Sequence, residues 1–397
     1  MAVGFLGRLN LRVLLVIILL VVAVHYLITP FVSERFRHAT EDEDHARVLV
    51  KPEVAASAPP AAAVAAPAYD WSKFSPYDPP PRTERRAKAC FVILVRNSDV
   101  HDMRVTMRQL EDRFNKDYNY PYVFLNNEPF SDEFKQLTSS MASGNTSYGL
   151  IPKEHWGYPP WISQQKAAET REKMKDIIYG SSESYRHMCR YESGFFYRHP
   201  LMDQFDYYWR VEPGVDFLCD IRYDPFMLMQ ERQLKYGFTI SLHEYRDTVP
   251  TLWKTTREFM DKYPQHVAKH NTLPWVTDQA LTDYNMCHFW SNFEIGSVKW
   301  LRSEQYTAYF DFLDQSGGFF YERWGDAPVH SLAVAMFLRK EEVHWFEDIG
   351  YFHGPFYNCP NPKALNQHCH CNPKDSLHLS GWSCTKAWGE LPDTPKV

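Results

Sequence analysis

The stretch YYWRVEPGVDF, residues 207–217, is the clearest indication of the fold of this chain. It opens with aromatic and apolar residues, which predict a buried strand. Glu212, Pro213 and Gly214 then interrupt the run, because proline lacks the donor that a sheet interior needs and glycine permits backbone angles that other residues avoid. Sheets of α/β proteins present ligand-binding side chains at strand ends. Glu212 is therefore predicted to be either such a side chain or a solvated loop carboxylate, and this stretch leaves both open.

Two further apolar runs extend the predicted sheet. Residues 90–95 (CFVILV) and 122–125 (YVFL) are typical of buried strands, and residues 100–114 between them predict a helix. Val105, Leu110 and Phe114 are expected to form the apolar face of this helix. Strand, helix and strand at this spacing form a βαβ unit, so an α/β fold is expected. Arg96 leaves the first strand at its carboxyl end, where a nucleotide phosphate or base would lie; an ordinary surface arginine is the alternative.

Charge and composition narrow the range of partners. The 397-residue chain has a formal net charge of -6 and no long Lys/Arg cluster, so nucleic acid is not an expected partner. Aromatic residues make up 16% of the chain. Such residues suit sugars, because a flat ring packs on the apolar face of a pyranose while its polar tip forms hydrogen bonds. The same composition also fits an aromatic-rich core.

The N-terminus has the pattern of a membrane anchor. Residues 13–24 are an unbroken apolar run, and residues 13–30 come near the short end of the ~17–25 residues that a spanning helix needs. Arg8 and Arg12 precede this transmembrane segment and acidic residues follow it, which predicts residues 1–12 in the cytosol and the rest of the chain across the membrane. A cleaved signal peptide is the competing interpretation, but no small-x-small site follows the run.

Residues 31–84 are expected to form a flexible luminal stem. Their central part is rich in proline and alanine and has almost no periodicity, so it cannot bury a core. Residues 85–397 would then be the globular domain. The literal Asp-x-Asp pair, Asp42 and Asp44, falls in the stem. No sheet would present it there, so it is rejected as a metal-binding motif.

Cysteines accumulate towards the C-terminus, where four of the eight are Cys359, Cys369, Cys371 and Cys384. In an oxidising lumen, disulfides are the expected state. A zinc site is the alternative, because His368 and His370 lie among these cysteines, although the paired Cys-x2-Cys spacing of zinc ribbons is missing. The pairing itself cannot be deduced from sequence.

Residues 284–295 (YNMCHFWSNFEI) place polar groups between aromatic ones. If this stretch is extended, Asn292 and Glu294 share one face. A carboxylate held among Trp and Phe should have a raised pKa unless a cation or a hydrogen bond compensates. Groups of this kind are candidates for functional sites, although structural ion pairs resemble them.

Two more segments are expected to be helical and to carry candidate residues. Residues 181–198 include Tyr185 among the polar members of such a helix. Residues 332–338 are apolar, and Asp326 and His330 come shortly before them, near the predicted helix N-terminus.

Glu212 is the best-placed carboxylate for a divalent metal. A single carboxylate makes a weak site, and His353 in the segment YFHG could complete it. An imidazole ligand favours manganese over magnesium. Alternatively, His353 is a structural histidine that packs in the fold and binds no metal.

Four motifs together resemble one family. In chain order these are SYRHMCRYESGFFYRHP, YYWRVEPGVDF, YNMCHFWSNFEI and ERWGDAPVHS. Together they closely resemble the fungal α-1,2-mannosyltransferases of glycosyltransferase family 15. The resemblance covers about residues 85–360 and the layout of an anchor followed by a stem. It implies a type II Golgi membrane protein with a luminal catalytic domain that extends O- and N-linked mannans.

The resemblance also implies a fold and a set of site residues. The fold would be a GT-A-like, nucleotide-sugar-binding mixed sheet flanked by helices, behind the transmembrane helix. The enzyme would transfer mannose from GDP-mannose to a mannosylated glycoprotein or oligosaccharide, with retention and with Mn²⁺ as cofactor. Glu212 and His353 match metal ligands of the family. Glu294 matches its proposed nucleophile, Tyr185 a tyrosine near the transferred sugar, and Asp326 an acidic residue of the same cleft.

Several alternatives stay open. Retention can proceed through a covalent glycosyl-enzyme on Glu294 or by attack of the acceptor on the same face, with Glu294 as a stabilising charge. An inactive, membrane-anchored mannan-binding or scaffold protein has the same layout. A glycosidase also uses paired carboxylates.

Overall fold

The computed structural model describes residues 69–360, 363 and 368–392. The predicted cytosolic tail, membrane anchor and most of the predicted stem lie outside these residues. Within them, none of the helices is both long enough and apolar enough to cross a bilayer.

The centre of the described part is a seven-stranded mixed sheet. In chain order its strands are β1 (Ala89–Leu94), β2 (Tyr122–Asn126), β3 (Thr146–Leu150), β4 (Tyr207–Arg210), β6 (Tyr236–Phe238), β9 (Glu294–Ser297) and β10 (Val343–Trp345). Across the sheet the order is β10-β6-β9-β4-β1-β2-β3. β9 runs antiparallel to its neighbours β4 and β6, and the other neighbouring pairs are parallel. The expected α/β class with a mixed sheet is confirmed.

Two small sheets flank the central one. One contains β5 (Asp216–Phe217), β11 (Tyr351–His353) and β12 (Phe356–Asn358), and the other pairs β7 (Ser241–His243) with β8 (Cys287–Phe289). β5 follows β4 after only five residues, yet it pairs with β11 and not with the central sheet. The chain therefore changes sheets at the Glu-Pro-Gly break.

Helices cover both faces of the central sheet. In chain order, α1 to α12 are Val100–Arg113, Asp132–Ser139, Lys153–Trp156, Gln164–Lys173, Glu183–Gly194, Pro225–Glu231, Leu252–Lys262, Val298–Leu301, Glu304–Ser316, Gly318–Tyr321, Asp326–Phe337 and Thr385–Glu390. Alternate residues of β1 enter two separate hydrophobic cores. Cys90 and Val92 belong to one, and Phe91 and Ile93 to the other. A strand buried on both faces has no polar alternation, which explains the continuous apolar run.

The first helix confirms the predicted span but not the predicted face. α1 ends at Arg113, and its buried apolar residues include Met103, Met107 and Leu110. Val105 is 56% exposed, so its assignment to the apolar face was wrong. Side chains three and four positions apart share a helix face, and the methionines complete that spacing with Leu110.

Residues 284–295 do not form one extended strand. β8 ends at Phe289, the chain turns, and β9 begins at Glu294 in a different sheet. The expected shared face of Asn292 and Glu294 therefore does not arise. A bend in the middle of a stretch changes which side chains share a face, and composition does not reveal such a bend.

The folded domain begins earlier than expected. Residues 69–84, assigned to the stem, pack on the domain: the ring centroids of Phe74 and Tyr223 are 4.7 Å apart. Arg82 Nη2 lies 2.5 Å from a carboxylate oxygen of Asp117, and Pro80 is buried. The proline-rich composition concealed these contacts, because it shows no periodicity from which packing could be predicted.

Three disulfides tie the C-terminal region to the domain, namely Cys219–Cys369, Cys287–Cys384 and Cys359–Cys371. The expected disulfide state is confirmed. The clusters of three or more possible metal ligands in the described ranges are built on these bonded cysteines, so they offer no free thiolate for the alternative zinc site.

Candidate active site

The Glu-Pro-Gly break positions Glu212 beside His353. Gly214 has φ +79°, a left-handed angle that glycine adopts without strain, and it lets the chain leave β4 for the three-stranded sheet. β5 then pairs with β11, whose last residue is His353. Glu212 Oε2 consequently lies 3.5 Å from His353 Nε2, with both side chains partly exposed.

Arg210 holds two carboxylates at the same point. It is the last residue of β4 and is buried. Its Nη2 donates to Glu212 Oε1 at 2.6 Å, and its Nη1 donates to Asp326 Oδ2 at 2.5 Å. Side chains two residues apart on a strand point to the same side, so the spacing of Arg210 and Glu212 is a signal that sequence analysis missed.

Both carboxylates are ionised at neutral pH. Burial raises the pKa of Asp326, but Arg210, His330 and hydrogen bonds outweigh it and hold the pKa at about 2. For Glu212, burial likewise raises the pKa, and the nearby charges of Arg210 and His353 bring it below the ordinary value. An opposite charge at this distance favours the charged form of an acid.

Asp326 begins α11, as expected for a residue near a helix N-terminus. Ser291 Oγ donates to its Oδ2 at 2.6 Å. The positive end of the helix dipole also favours a carboxylate in this position.

Tyr185 lies on the first turn of α5, behind the N-cap Ser182. Its hydroxyl accepts a hydrogen bond of 3.2 Å from Arg323 Nη1, and its ring stacks on Tyr179 at 4.4 Å between centroids. Burial raises the pKa of Tyr185 well above the ordinary value. The hydroxyl therefore keeps its proton and can donate it in a hydrogen bond.

Two cavities meet at these residues. The strand-end cavity, of about 570 Å³, is lined by residues at the ends of β1 and β2, including Arg96, Asn126 and Asn127. The aromatic cavity, of about 270 Å³, is lined by Trp290, Asp326 and His353 among others. Five residues line both, and together they are called the junction: Tyr179, Tyr185, Met188, Arg210 and Glu212. Five of the six predicted site residues thus line one or both cavities.

Glu294 is the exception. Its side chain has no exposed surface, and it lines neither cavity. The hydroxyls of Tyr208 and Tyr236 donate to its two oxygens at 2.8 and 2.9 Å. Its partner in the ladder between β4 and β9 is Arg210, so it lies beneath the junction.

A histidine completes the surroundings of Glu294. His330 Nδ1 lies 2.9 Å from Glu294 Oε2, and Nε2 lies 3.2 Å from the carbonyl oxygen of Glu192. Both nitrogens thus face acceptors, which an imidazolium satisfies by donating twice. Burial lowers the pKa of His330, but the charge of Glu294 outweighs it and raises the pKa above its usual value. The carboxylate is therefore held by three donors.

Glu212 and His353 are a suitable pair of metal ligands. A carboxylate oxygen and an imidazole nitrogen at 3.5 Å make no close hydrogen bond, yet one ion can contact both. Manganese accepts this combination of ligands. The pair also lies on the aromatic cavity beside the junction, where a bound ion reaches a ligand in either cavity.

Similar proteins define the class. The family model described as glycolipid 2-alpha-mannosyltransferase matches residues 50–393. Glycolipid 2-alpha-mannosyltransferase 1 of Candida albicans is 57% identical over 310 residues, which cover 77% of this chain and 72% of that protein. Alpha-1,2 mannosyltransferase KTR1 of Saccharomyces cerevisiae is 52% identical over 328 residues, covering 82% and 84%. The chain therefore belongs to the glycolipid 2-alpha-mannosyltransferase family.

Solved structures of similar sequence share the fold. The Mn/GDP form of core-mannan synthase A (CmsA/Ktr4) from Aspergillus fumigatus is 44% identical, with a TM-score of 0.70 over 76% of this chain and 83% of that one. Mannosyltransferase Ktr4p of S. cerevisiae in complex with GDP is 40% identical, with a TM-score of 0.73 over 76% and 81%.

Proposed function

We propose that this protein is a retaining α-1,2-mannosyltransferase that moves mannose from GDP-mannose to mannosylated O- or N-glycans of glycoproteins. The observation that carries the proposal is the junction, where a strand-end cavity and an aromatic cavity meet beside an ionised carboxylate, Glu212. Two ligands that enter from opposite sides would have their reacting atoms brought together there.

The strand-end cavity suits the GDP part of the donor. It lies beyond the carboxyl ends of the parallel strands β1 and β2, the usual position of nucleotides in α/β sheets. Arg96 supplies positive charge, and Asn126 and Asn127 supply hydrogen-bonding groups. Its volume falls within the range of ligand pockets, roughly 300–1,000 Å³.

Glu212 and His353 would hold the manganese ion. When bound, such an ion neutralises negative charge on the departing diphosphate. Arg210 keeps Glu212 ionised and fixes its orientation through a hydrogen bond of 2.6 Å. The Glu212 carboxylate is thus already ionised and oriented before a metal ion binds.

Asp326 and Tyr185 would act on the sugars. The ionised Asp326 can accept a hydrogen bond from an acceptor hydroxyl, because it lines the aromatic cavity with its pKa held at about 2. Tyr185 keeps its proton and lines both cavities, so its hydroxyl can donate to an oxygen of the transferred mannose.

The position of Glu294 supports the same-face route to retention. The anomeric bond to the diphosphate breaks with its electrons on the leaving oxygen, the acceptor oxygen bonds to the anomeric carbon, and its proton passes to the diphosphate. A carboxylate held by Tyr208, Tyr236 and His330 below the cavity floor is poorly placed for nucleophilic attack. Glu294 would instead stabilise positive charge from beneath the junction.

Azide tests the two routes. A Glu294→Ala enzyme incubated with GDP-mannose and azide should yield no β-mannosyl azide if the acceptor attacks directly. Recovery of that product would show that Glu294 is the nucleophile, as in double-displacement glycosidases.

A Golgi location is part of the same proposal. Residues 1–12 would be cytosolic, residues 13–30 would span the membrane once, and the domain would be luminal. Three disulfides support an oxidising compartment, since cytosolic proteins seldom keep them. Protease protection of the domain in sealed Golgi vesicles is the expected result, and its digestion without detergent would contradict the orientation.

Product analysis tests the reaction. The full-length chain in detergent, given GDP-mannose, Mn²⁺ and α-mannobiose, should release GDP and form an α-1,2-linked trisaccharide. Release of mannose from mannan without GDP-mannose would support a glycosidase. Binding of mannoside without GDP release would support an inactive scaffold.

A further inference from the structure

Exposed apolar side chains concentrate at the rim of the aromatic cavity. Nine large hydrophobic residues of the described part are exposed, and four of these line this one cavity: Ile178, Tyr179, Tyr245 and Trp382. Single exposed rings are normal on a protein surface, whereas a cluster at the mouth of a cavity marks a binding surface.

Tyr245 and Trp382 form the outer part of this cluster. Tyr245 is 52% exposed and Trp382 is 42% exposed, and their ring centroids are 6.1 Å apart with planes inclined at 49°. The ring of His243 lies 5.9 Å from Trp382 at 74°. The two rings thus touch each other, and about half of each residue is exposed to solvent.

The backbone around Trp382 is firmly attached. His243 N donates to the carbonyl oxygen of Trp382 at 3.4 Å, and Cys384 N donates to the carbonyl oxygen of Ser241 at 3.1 Å. Two residues beyond Trp382, the Cys287–Cys384 disulfide fixes the segment to β8. A segment whose backbone is fixed before binding loses little conformational freedom when a ligand covers it.

Polar groups connect these rings with the junction. Arg323 is 3% exposed; its Nη2 lies 3.3 Å from Glu244 Oε1 and its Nη1 lies 3.2 Å from the hydroxyl of Tyr185. Its Nε has no hydrogen-bond partner. Glu244, next to Tyr245, also lines the cavity. Apolar faces with neighbouring charged groups are the combination that a sugar ring requires.

We propose that Tyr245 and Trp382 form a second sugar subsite, which binds the mannose next to the one that accepts the transfer. The inference rests on the proposed function, because it takes the aromatic cavity as the acceptor side. At about 270 Å³, this cavity is slightly smaller than the usual range of ligand pockets. A longer acceptor must therefore continue across the rim, where the two rings lie.

Acceptor length tests the subsite. Full-length Trp382→Ala and Tyr245→Ala are assayed in detergent with GDP-mannose, Mn²⁺ and either methyl α-mannoside or α-1,2-mannotriose. The ratio of kcat/KM for mannotriose to that for methyl α-mannoside should fall about 5–10-fold, mainly through KM, since an aromatic contact is worth roughly a factor of ten. Trp382→Phe should restore most of the ratio. Tyr77→Ala removes an equally exposed ring that lines neither cavity and should leave the ratio unaltered.

Two outcomes would overturn the subsite: an unaltered ratio in both alanine variants, or an equal fall for both acceptors. Calorimetry with Mn²⁺ and GDP shows separately whether the donor side is intact in each variant. If the unmodified chain transfers mannose to neither acceptor, the proposed function fails, and titration with mannotriose alone still decides the subsite. Weaker binding by Trp382→Ala then supports it, and equal binding contradicts it.

Discussion

Arg210 is the residue on which the site depends, because one guanidinium orients Glu212 and Asp326 and keeps both ionised. A charge-assisted hydrogen bond to each carboxylate restricts its orientation. The consequence is that a ligand atom arriving at the junction meets fixed negative charge and needs no reorganisation of the protein.

Glu212 is expected to determine the metal requirement. Glu212→Gln keeps a hydrogen-bonding oxygen for Arg210 but loses the anionic ligand, so the Mn²⁺ concentration for half-maximal GDP release should rise at least about tenfold. Asp216→Asn is the matched control, because Asp216 accepts from Gln109 at 2.6 Å and lines neither cavity. An unaltered Mn²⁺ requirement in Glu212→Gln would contradict the metal assignment.

Glu192 should make stability depend on pH. It is 3% exposed, its nearest cation is Arg210 at 3.8 Å, and burial raises its pKa from 4.5 to about 7. Because the folded state binds this proton more tightly, its stabilising effect is complete below pH 4.5 and is lost as the pH rises through 7.

Glu192→Gln removes that dependence. At pH 8 its free energy of unfolding, measured by denaturant unfolding in metal-free buffer, should exceed that of the unmodified protein by about 3 kcal/mol. This difference should shrink towards pH 5. Glu128→Gln makes the same change at an exposed position and should show no such trend. A difference that is constant with pH would show that the Glu192 carboxyl does not titrate in this range.

At the scale of elements, the Cys287–Cys384 disulfide should contribute more stability than Cys359–Cys371. The first closes a chain separation of 97 residues and the second only 12, and the entropy removed from the unfolded chain grows with the loop. Replacing both cysteines of the first pair by serine should therefore lower the free energy of unfolding by about 4.7 kcal/mol.

The same change in the second pair serves as the control, with a loss of about 3 kcal/mol. Denaturant unfolding of both double variants measures the difference. A larger loss from the shorter loop would show that strain or residual structure outweighs loop entropy here.

Three strands and the position of Glu212 could be predicted from the sequence, whereas the burial of Glu294 could not. β1, β2 and β4 could be predicted because strands buried on both faces leave continuous apolar runs. Glu212 could be placed because proline and glycine mark the end of a strand. The burial of Glu294 could not, since it depends on the turn between β8 and β9 and on Tyr208, Tyr236 and His330, which come from three other elements.

At the scale of the whole molecule, the domain should require residues 69–84. A chain that begins at residue 69 keeps the contacts of Phe74 with Tyr223 and of Arg82 with Asp117, whereas one that begins at residue 85 loses both. Burial of one aromatic side chain is worth roughly 1.5–3 kcal/mol. The shorter chain should melt several degrees lower, and equal melting temperatures would place the domain boundary at residue 85 after all.

Each of the three disulfides has one partner at residue 369 or later. During synthesis the N-terminal end of a chain emerges first, so each of these cross-links must wait until residue 369, 371 or 384 has been translated. Until then the native bonds of Cys219, Cys287 and Cys359 cannot form, and the segment that carries Trp382 has not reached the cavity. The central sheet, whose last strand in chain order ends at Trp345, can therefore be complete before any of the three cross-links forms and before Trp382 is in place.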